Sequence, residues 1–221
     1  MLRNNLIVLL LAAAGLFSSC GSGNHYSLTG SLPARYDGCL VKLTPATFFF
    51  SEEKPSPVDS VKIKDGKFQF AGTVQEPTVY MLTIDGVDYK IPDVASIAVV
   101  IEPGDITMGI MVSGTPVNER YMTTIGEAKR ETVRQRQLLW QERDSVKRLP
   151  GSVENEVDNY YNLKSSAIFK ENVIPASENF IREYAGTEIG EFFFFHCCGK
   201  DVYSKAFVDE VYPTIRPEIR E

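Results

Sequence analysis

The sequence predicts an α+β protein: an N-terminal antiparallel β-sandwich followed by an all-helical C-terminal region built on a long helical hairpin. Three observations predict it. Between Tyr26 and Thr115, apolar runs of strand length are separated by turn signals about every 8–12 residues, the spacing of a sandwich or barrel. From Asn118 to Leu149 there is no proline and a single glycine, Gly126, in a stretch dominated by helix formers. Gly114-Thr115-Pro116 stands between the two textures as a boundary.

The strands follow in order. GCLVKL puts Cys39, Val41 and Leu43 on one face, because side chains alternate along a strand. In DSVKIKDGKFQFAG, Val61 and Ile63 alternate with lysines, and Phe68 and Phe70 alternate with Lys67 and Gln69. Asp65-Gly66 between them predicts a type I′ hairpin turn, which needs positive φ at both central residues. TVYMLTIDGVDYKI repeats the device with Asp85-Gly86. SIAVVIEPGDITMGIMVSG reads as two apolar strands around Pro103-Gly104, a type II turn with glycine where φ must be positive.

The helical half opens with Asn118–Leu149, about 48 Å of helix at 1.5 Å per residue, with an imperfect apolar stripe through Met122, Ile125, Val133, Leu139, Trp140 and Val146. Pro150-Gly151 ends it, and Ser152 is placed to cap an antiparallel partner running to about Asn172. Three shorter helices are expected after that. SENFIREYAG is capped by Ser177 and closed by Gly186, TEIGEFFFFHCCG is capped by Thr187 and closed by Gly199, and SKAFVDEVY begins at Ser204 and stops at Pro213. Residues 213–221 read as an extended tail.

The N-terminus carries a processing signal. Arg3 supplies a basic n-region, and the 11 apolar residues Leu6–Leu16 are too few to span a bilayer but suit a secretory signal. LFSSC resembles a lipobox, with Phe17 where leucine is usual, so cleavage before Cys20 and lipid attachment to it are expected. The expected organisation is therefore a signal peptide 1–19, a flexible Gly/Ser tether 20–25, a β-sandwich domain 26–115, a helical region 116–212 and the tail 213–221. The membrane is one partner, through acyl chains that contribute about 0.8 kcal/mol per buried CH₂. Without Arg3 the mature chain has 22 basic against 29 acidic residues, a net −7, which argues against nucleic acid, whose phosphates require clustered positive charge. The segment 118–149 is the exception, with eight basic and five acidic residues, and is read as a solvated face.

Reactive groups are few. FFFFHCCGK brings His196, Cys197 and Cys198 together in sequence, but neighbours on a helix point about 100° apart and do not converge on one metal. Neither the C-x₂₋₄-C nor the H-x₃₋₅-H spacing of zinc sites occurs, nor C-x-x-C. With Cys20 lipidated, three thiols remain, so at least one of Cys39, Cys197 and Cys198 stays free. The reading preferred is core packing; a disulfide to Cys39 and a redox pair Cys197/Cys198 are the alternatives. His25 and His196 are not expected to be catalytic. No nucleotide or calcium motif is present, and no cofactor is expected.

The combination of lipobox, DSVKIKDGKFQFAGTV, IEPGDITMGIMVSGTPVNERY and AGTEIGEFFFF resembles the family called domain of unknown function 4369, found in envelope lipoproteins of Gram-negative gut bacteria. In many members this region precedes a thioredoxin-like domain of the AhpC/TSA type with a W-C-x-x-C active site. Here Trp140, the sole tryptophan, is followed by Gln141, so no catalytic residue carries over. The resemblance implies the accessory half of a redox lipoprotein: a non-enzymatic binding or interaction module of the cell envelope, with an envelope protein of thioredoxin-like type as a candidate partner. A carbohydrate-binding module, using aromatics among Tyr26, Tyr36, Phe48, Phe49, Tyr80 and Tyr89, is a further alternative by fold analogy.

Overall fold

Among the described residues eight strands form two four-stranded sheets, and a helical layer covers one of them. The computed structural model describes residues 23–46, 56–85, 96–109, 111–197 and 202–220. The signal peptide, Cys20, Cys198, Phe48, Phe49, Gly86 and Tyr89 lie outside the described residues. The strands are β1 (His25–Ser31), β2 (Leu40–Pro45), β3 (Asp59–Lys62), β4 (Lys67–Thr73), β5 (Thr78–Ile84), β6 (Ser96–Ile101), β7 (Gly104–Met108) and β8 (Val112–Ser113). One sheet has the order β4-β1-β7-β8, the other β3-β2-β5-β6. All pairs are antiparallel except β1 with β7, which run parallel, a departure from the all-antiparallel sandwich the sequence suggests.

Two of the three predicted turns fall within the described residues, and both join strands of different sheets. Asp65 and Gly66 both have positive φ (52° and 70°), as a type I′ turn requires. Across that turn only Lys64 and Lys67 pair, after which β3 and β4 part into opposite sheets. The cause lies upstream: Gly38 N–H donates to the Ile63 carbonyl, and Ile63 N–H to that of Cys39, so the chain before the turn is already bound to the β2 side. Gly104, at φ 126°, likewise carries the chain from β6 in one sheet to β7 in the other.

Two cores share the β3-β2-β5-β6 sheet. Its inner face, with Val41, Leu43, Leu82 and Ile101, meets Leu28, Phe68, Phe70 and Ile106 of the other sheet. Its outer face, with Val79, Met81 and Val100, lies under the helices. A sheet buried on both faces needs apolar residues at successive positions, which is why TVYMLTI reads as a nearly continuous apolar run while KFQFAG alternates.

The helices are α1 (Pro116–Tyr121), α2 (Glu127–Lys147), α3 (Glu154–Glu183), α4 (Glu188–His196) and α5 (Lys205–Val211). A π-helical turn, Met122–Gly126, links α1 to α2, so the predicted long helix is continuous with one widened turn. α2 and α3 form the expected antiparallel hairpin, reversing at Gly151 (φ 84°). Arg136 donates to the Ser165 carbonyl, Asn172 donates to Thr132 and Gln135, and Tyr161 OH donates to Glu142 at 2.9 Å. Ser152 does not cap α3; Val153 occupies that place, and Ser152 Oγ instead donates to the Lys147 carbonyl.

The expected break between Asn172 and Ser177 is absent, and α3 runs through Pro175 for 30 residues, about 45 Å. Ser177 is fully buried and returns its hydroxyl proton to the Val173 carbonyl at 2.7 Å. Burial of Val173, Phe180 and Ile181 in the second core outweighs the one helical hydrogen bond proline removes. Thr187 and Ser204 do cap α4 and α5, accepting from Gly190 N–H and Phe207 N–H. The C-terminal residues are not an extended tail. They form two 3₁₀ turns, Tyr212–Thr214 and Pro217–Ile219, around a buried Ile215.

Candidate functional site

Glu102, Gly114, Thr115 and Asn118 build a latch where the sandwich hands the chain to the helices. The Glu102 carboxylate accepts from the backbone N–H of Val117 and of Asn118, at 2.8 and 3.3 Å, satisfying donors that the first turn of a helix leaves without partners. The Asn118 side chain, 3 % exposed, accepts from Val100 N–H at 3.2 Å and donates to the Val100 carbonyl at 2.7 Å and to Thr115 Oγ1 at 2.8 Å. β6 is the outer strand of its sheet, and one asparagine amide thus imitates a neighbouring strand at Val100. Gly114 sits at φ 100°, where a Cβ would collide with the Asp105 carbonyl oxygen. The E-P-G-D and S-G-T-x-x-N blocks of the sequence are the two halves of this latch.

Beside the latch lies a cavity of about 420 Å³, bounded by β6 with Met81 of β5, by Met111 and Val112, by Asn118 and Tyr121 of α1, by the start of α2 and by the end of α4. Its walls are mainly apolar, with Met81, Ala98, Met111, Phe192 and Phe193 prominent. Among the described residues, the polar ones that line it are Asn118, Tyr121, Lys129, His196 and Cys197. Lys129 Nζ donates to Tyr121 OH at 3.0 Å, while the Tyr121 ring is fixed against Phe180 and Phe193. An apolar chamber of this volume with a few convergent polar groups has the make-up of a ligand site.

Of the residues of FFFFHCCGK, Phe192, Phe193, His196 and Cys197 contribute to this wall. The His196 ring stacks on Phe192 with centroids 4.4 Å apart, and its Nδ1 lies 3.0 Å from the Phe192 carbonyl. Partial burial of the imidazole lowers its pKa below the ordinary value, against the opposing pull of that carbonyl. Cys197 Sγ lies instead 3.1 Å from Ser177 Oγ on α3. Cys39 borders the sandwich core on the other side of the sheet, and Cys39 and Cys197 are both free thiols, so no disulfide joins them. Of the aromatics considered for sugar stacking, Tyr36 is buried and Tyr26 and Tyr80 are half-buried against the sandwich core. Among the described residues no group of three or more His, Cys, Asp or Glu side chains is placed to hold a metal ion, and no helix is long and apolar enough to cross a membrane.

Sequence reasoning missed Asn118, Glu102, Tyr121 and Lys129. The usable signal was an asparagine and a glutamate flanking a glycine-rich boundary, where orphan backbone groups must be met.

The first turn of α4 closes the same end of this sheet from the β2 side. Past the end of β2, Val79 N–H donates to Glu188 Oε1 at 3.2 Å. Burial holds the Glu188 carboxyl above its usual pKa, opposed by the Val79 bond and by Arg216. The folded state therefore binds this proton more tightly than the unfolded chain, and stability from this group is lost as pH rises above the ordinary carboxylate value of about 4.3. Glu188→Gln keeps an acceptor for Val79 and removes the charge. It is expected to be more stable than the parent at pH 7, with the gap closing below about pH 4; urea unfolding across that range checks this, and a gap independent of pH would contradict it.

None of the curated proteins compared matches the chain. The segment from Tyr26 in β1 through the latch to Tyr121, the last residue of α1, matches the family described as domain of unknown function (DUF4369), whose model covers residues 26–121.

Proposed function

We propose that this chain is a non-enzymatic lipoprotein of the cell envelope, held to a membrane by lipid on Cys20, and that it works as a binding module. The observation that carries the binding role is the cavity beside β6: it is chamber-sized and largely apolar, with a few polar groups such as the Lys129–Tyr121 pair converging on it. The basic n-region, the 11-residue apolar run and LFSSC support the location, and the surplus of acidic residues supports a partner other than nucleic acid. The partner class we favour is an envelope protein of thioredoxin-like type, since chains resembling this one carry such a domain in cis.

The binding role is tested with 8-anilinonaphthalene-1-sulfonate. One molecule is expected to bind per chain with enhanced fluorescence, and Ala98→Phe, which fills the cavity, is expected to abolish that signal while leaving the unfolding transition cooperative. Fluorescence unchanged in Ala98→Phe would refute it. Intact-mass analysis of membrane-extracted protein tests the anchor, with an acylated chain beginning at Cys20 as the expected species.

A thiol–disulfide role for Cys197 and Cys198 is a second reading, favoured by Cys197 reaching the cavity wall. Insulin reduction by the purified protein, lost in Cys197→Ser or Cys198→Ser, would establish it and displace the non-enzymatic one.

A further inference from the structure

α2, the reversal at Gly151 and α3 as far as Asn172 form an arm that buries little of itself. Neither hydrophobic core takes a residue from Glu127 to Asn172. The side chains buried along the arm are Thr132, Leu139, Tyr161 and Ser165, so its seam holds one leucine and one tyrosine as large groups. Polar bonds hold the rest, with Arg136 on the Ser165 carbonyl and Asn172 on Thr132 and Gln135. A helix in a folded protein draws most of its stability from packing an apolar face. Yet of the eight large hydrophobic side chains that stand exposed among the described residues, six belong to this arm: Val133, Leu138, Leu149, Val153, Tyr160 and Leu163.

Leu138, Tyr160 and Leu163 share one face of the arm. On the opposite face Arg136 meets the Phe169 ring, and Arg143 and Lys147 reach Asp158 at 3.9 and 2.8 Å, so that face is charged and ion-paired. At about 100° per residue, Leu138 falls on the other side of α2 from Arg136 and Arg143, and Tyr160 and Leu163 fall on the other side of α3 from Asp158 and Phe169. Leu163, 73 % exposed, stands furthest out. The same apolar face carries Glu142 on its α2 half, bonded to Tyr161 OH, and Lys164 on its α3 half, set over the Tyr160 ring. α2 has 21 residues, about 31 Å, and two helices side by side are about 20 Å wide, so the face offers about 600 Å². Two such faces together bury about 1,200 Å², the lower bound of a specific, stable interface.

We propose that this face is an interface between two copies of the chain, whose arms pack as a four-helix bundle about a two-fold axis parallel to the helices. Each α2 then lies antiparallel on α3 of the other copy, the arrangement of an antiparallel bundle. The hairpin register, fixed by Arg136 with Ser165 and Glu142 with Tyr161, sets Leu138 of one copy against Leu163 of the other, and Glu142 against Lys164. A two-fold interface makes every contact twice, so the face is complementary to itself in charge as well as in shape. The second copy supplies the apolar layer that each hairpin lacks. This surface is separate from the cavity, and neither depends on the other.

Sedimentation equilibrium of the full chain in density-matched detergent tests this, and a reversible monomer–dimer equilibrium is expected. Leu163→Asp should weaken the dimer about a hundredfold, because each dimer would bury two unpaired carboxylates. The position is exposed in the single chain, so thermal unfolding of that variant should stay cooperative. Glu142→Lys and Lys164→Glu, each alone, should weaken association about tenfold by setting like charges face to face. Mixing these two variants in equal amounts should restore the dimer, because the mixed pair sets lysine against glutamate at both contacts while the like charges within each chain remain. That rescue separates a contact between copies from an effect inside one. A chain that stays monomeric, a dimer unmoved by Leu163→Asp, or charge variants that mixing does not rescue would overturn the proposal.

Discussion

Replacing Asn118 with leucine is expected to destabilise the protein by about 3 kcal/mol or more, lowering Tm by roughly 6–12 °C for a chain of this size. The side chain is buried and makes three hydrogen bonds, two of them to the backbone of Val100. Leucine has similar bulk, so the packing loss is small. The damage comes from the Val100 N–H and C=O, each left without a partner at a cost of about 1–3 kcal/mol. Asn118→Asp should be no milder, because it loses the donor to Val100 and Thr115 and buries a charge. Differential scanning calorimetry of the variants measures this. A leucine variant within 1 °C of the parent would mean that β6 has another way to satisfy its edge.

The second large effect is expected at Arg216. Glu191 is 2 % exposed and accepts from both the backbone N–H and the Nε of Arg216, each at 2.7 Å. Arg216→Ala leaves that carboxylate in the second core without its counter-charge. Removing one partner of a buried pair costs about 3–5 kcal/mol, and the lower end applies because the Arg216 side chain is itself about half exposed. The double variant Glu191→Gln/Arg216→Ala should regain most of the loss, since an amide needs no counter-charge and can still accept from the residue 216 N–H. Urea denaturation of both variants decides it: equal stabilities would show that the ion pair is incidental and that the arginine serves only as a spacer.

How far the sequence spoke for the structure depended on how local the deciding force was. Asp65-Gly66 and Pro103-Gly104 were legible because positive φ is a property of two residues and their glycine. Thr187 and Ser204 were legible as caps for the same reason. Which sheet each strand joins was not legible, because alternation records the face a side chain occupies and says nothing of the strand beside it. The parallel meeting of β1 with β7 is of that kind. Ser177 suggested a helix start by local chemistry, and burial of Val173, Phe180 and Ile181 overrode it. The candidate site was legible in part. FFFFHCCGK was read as apolar helix, and α4 does run through its Phe192–His196 part, yet the place of that part on a cavity wall depends on Tyr121 and Lys129, some 70 residues earlier. Asn118 drew no notice, since an asparagine at a helix start is ordinary until the strand edge beside it is known.

The shared sheet has a consequence for where this protein can be cut. The family match ends at Tyr121, yet Phe180, Phe192, Phe194 and Phe207, which roof Val79, Met81 and Val100, all come later in the chain. A fragment stopping at Tyr121 would keep its inner seam and present a greasy wall to water on the other side. The matched segment is therefore shorter than the stretch of this chain that closes both faces of the sheet.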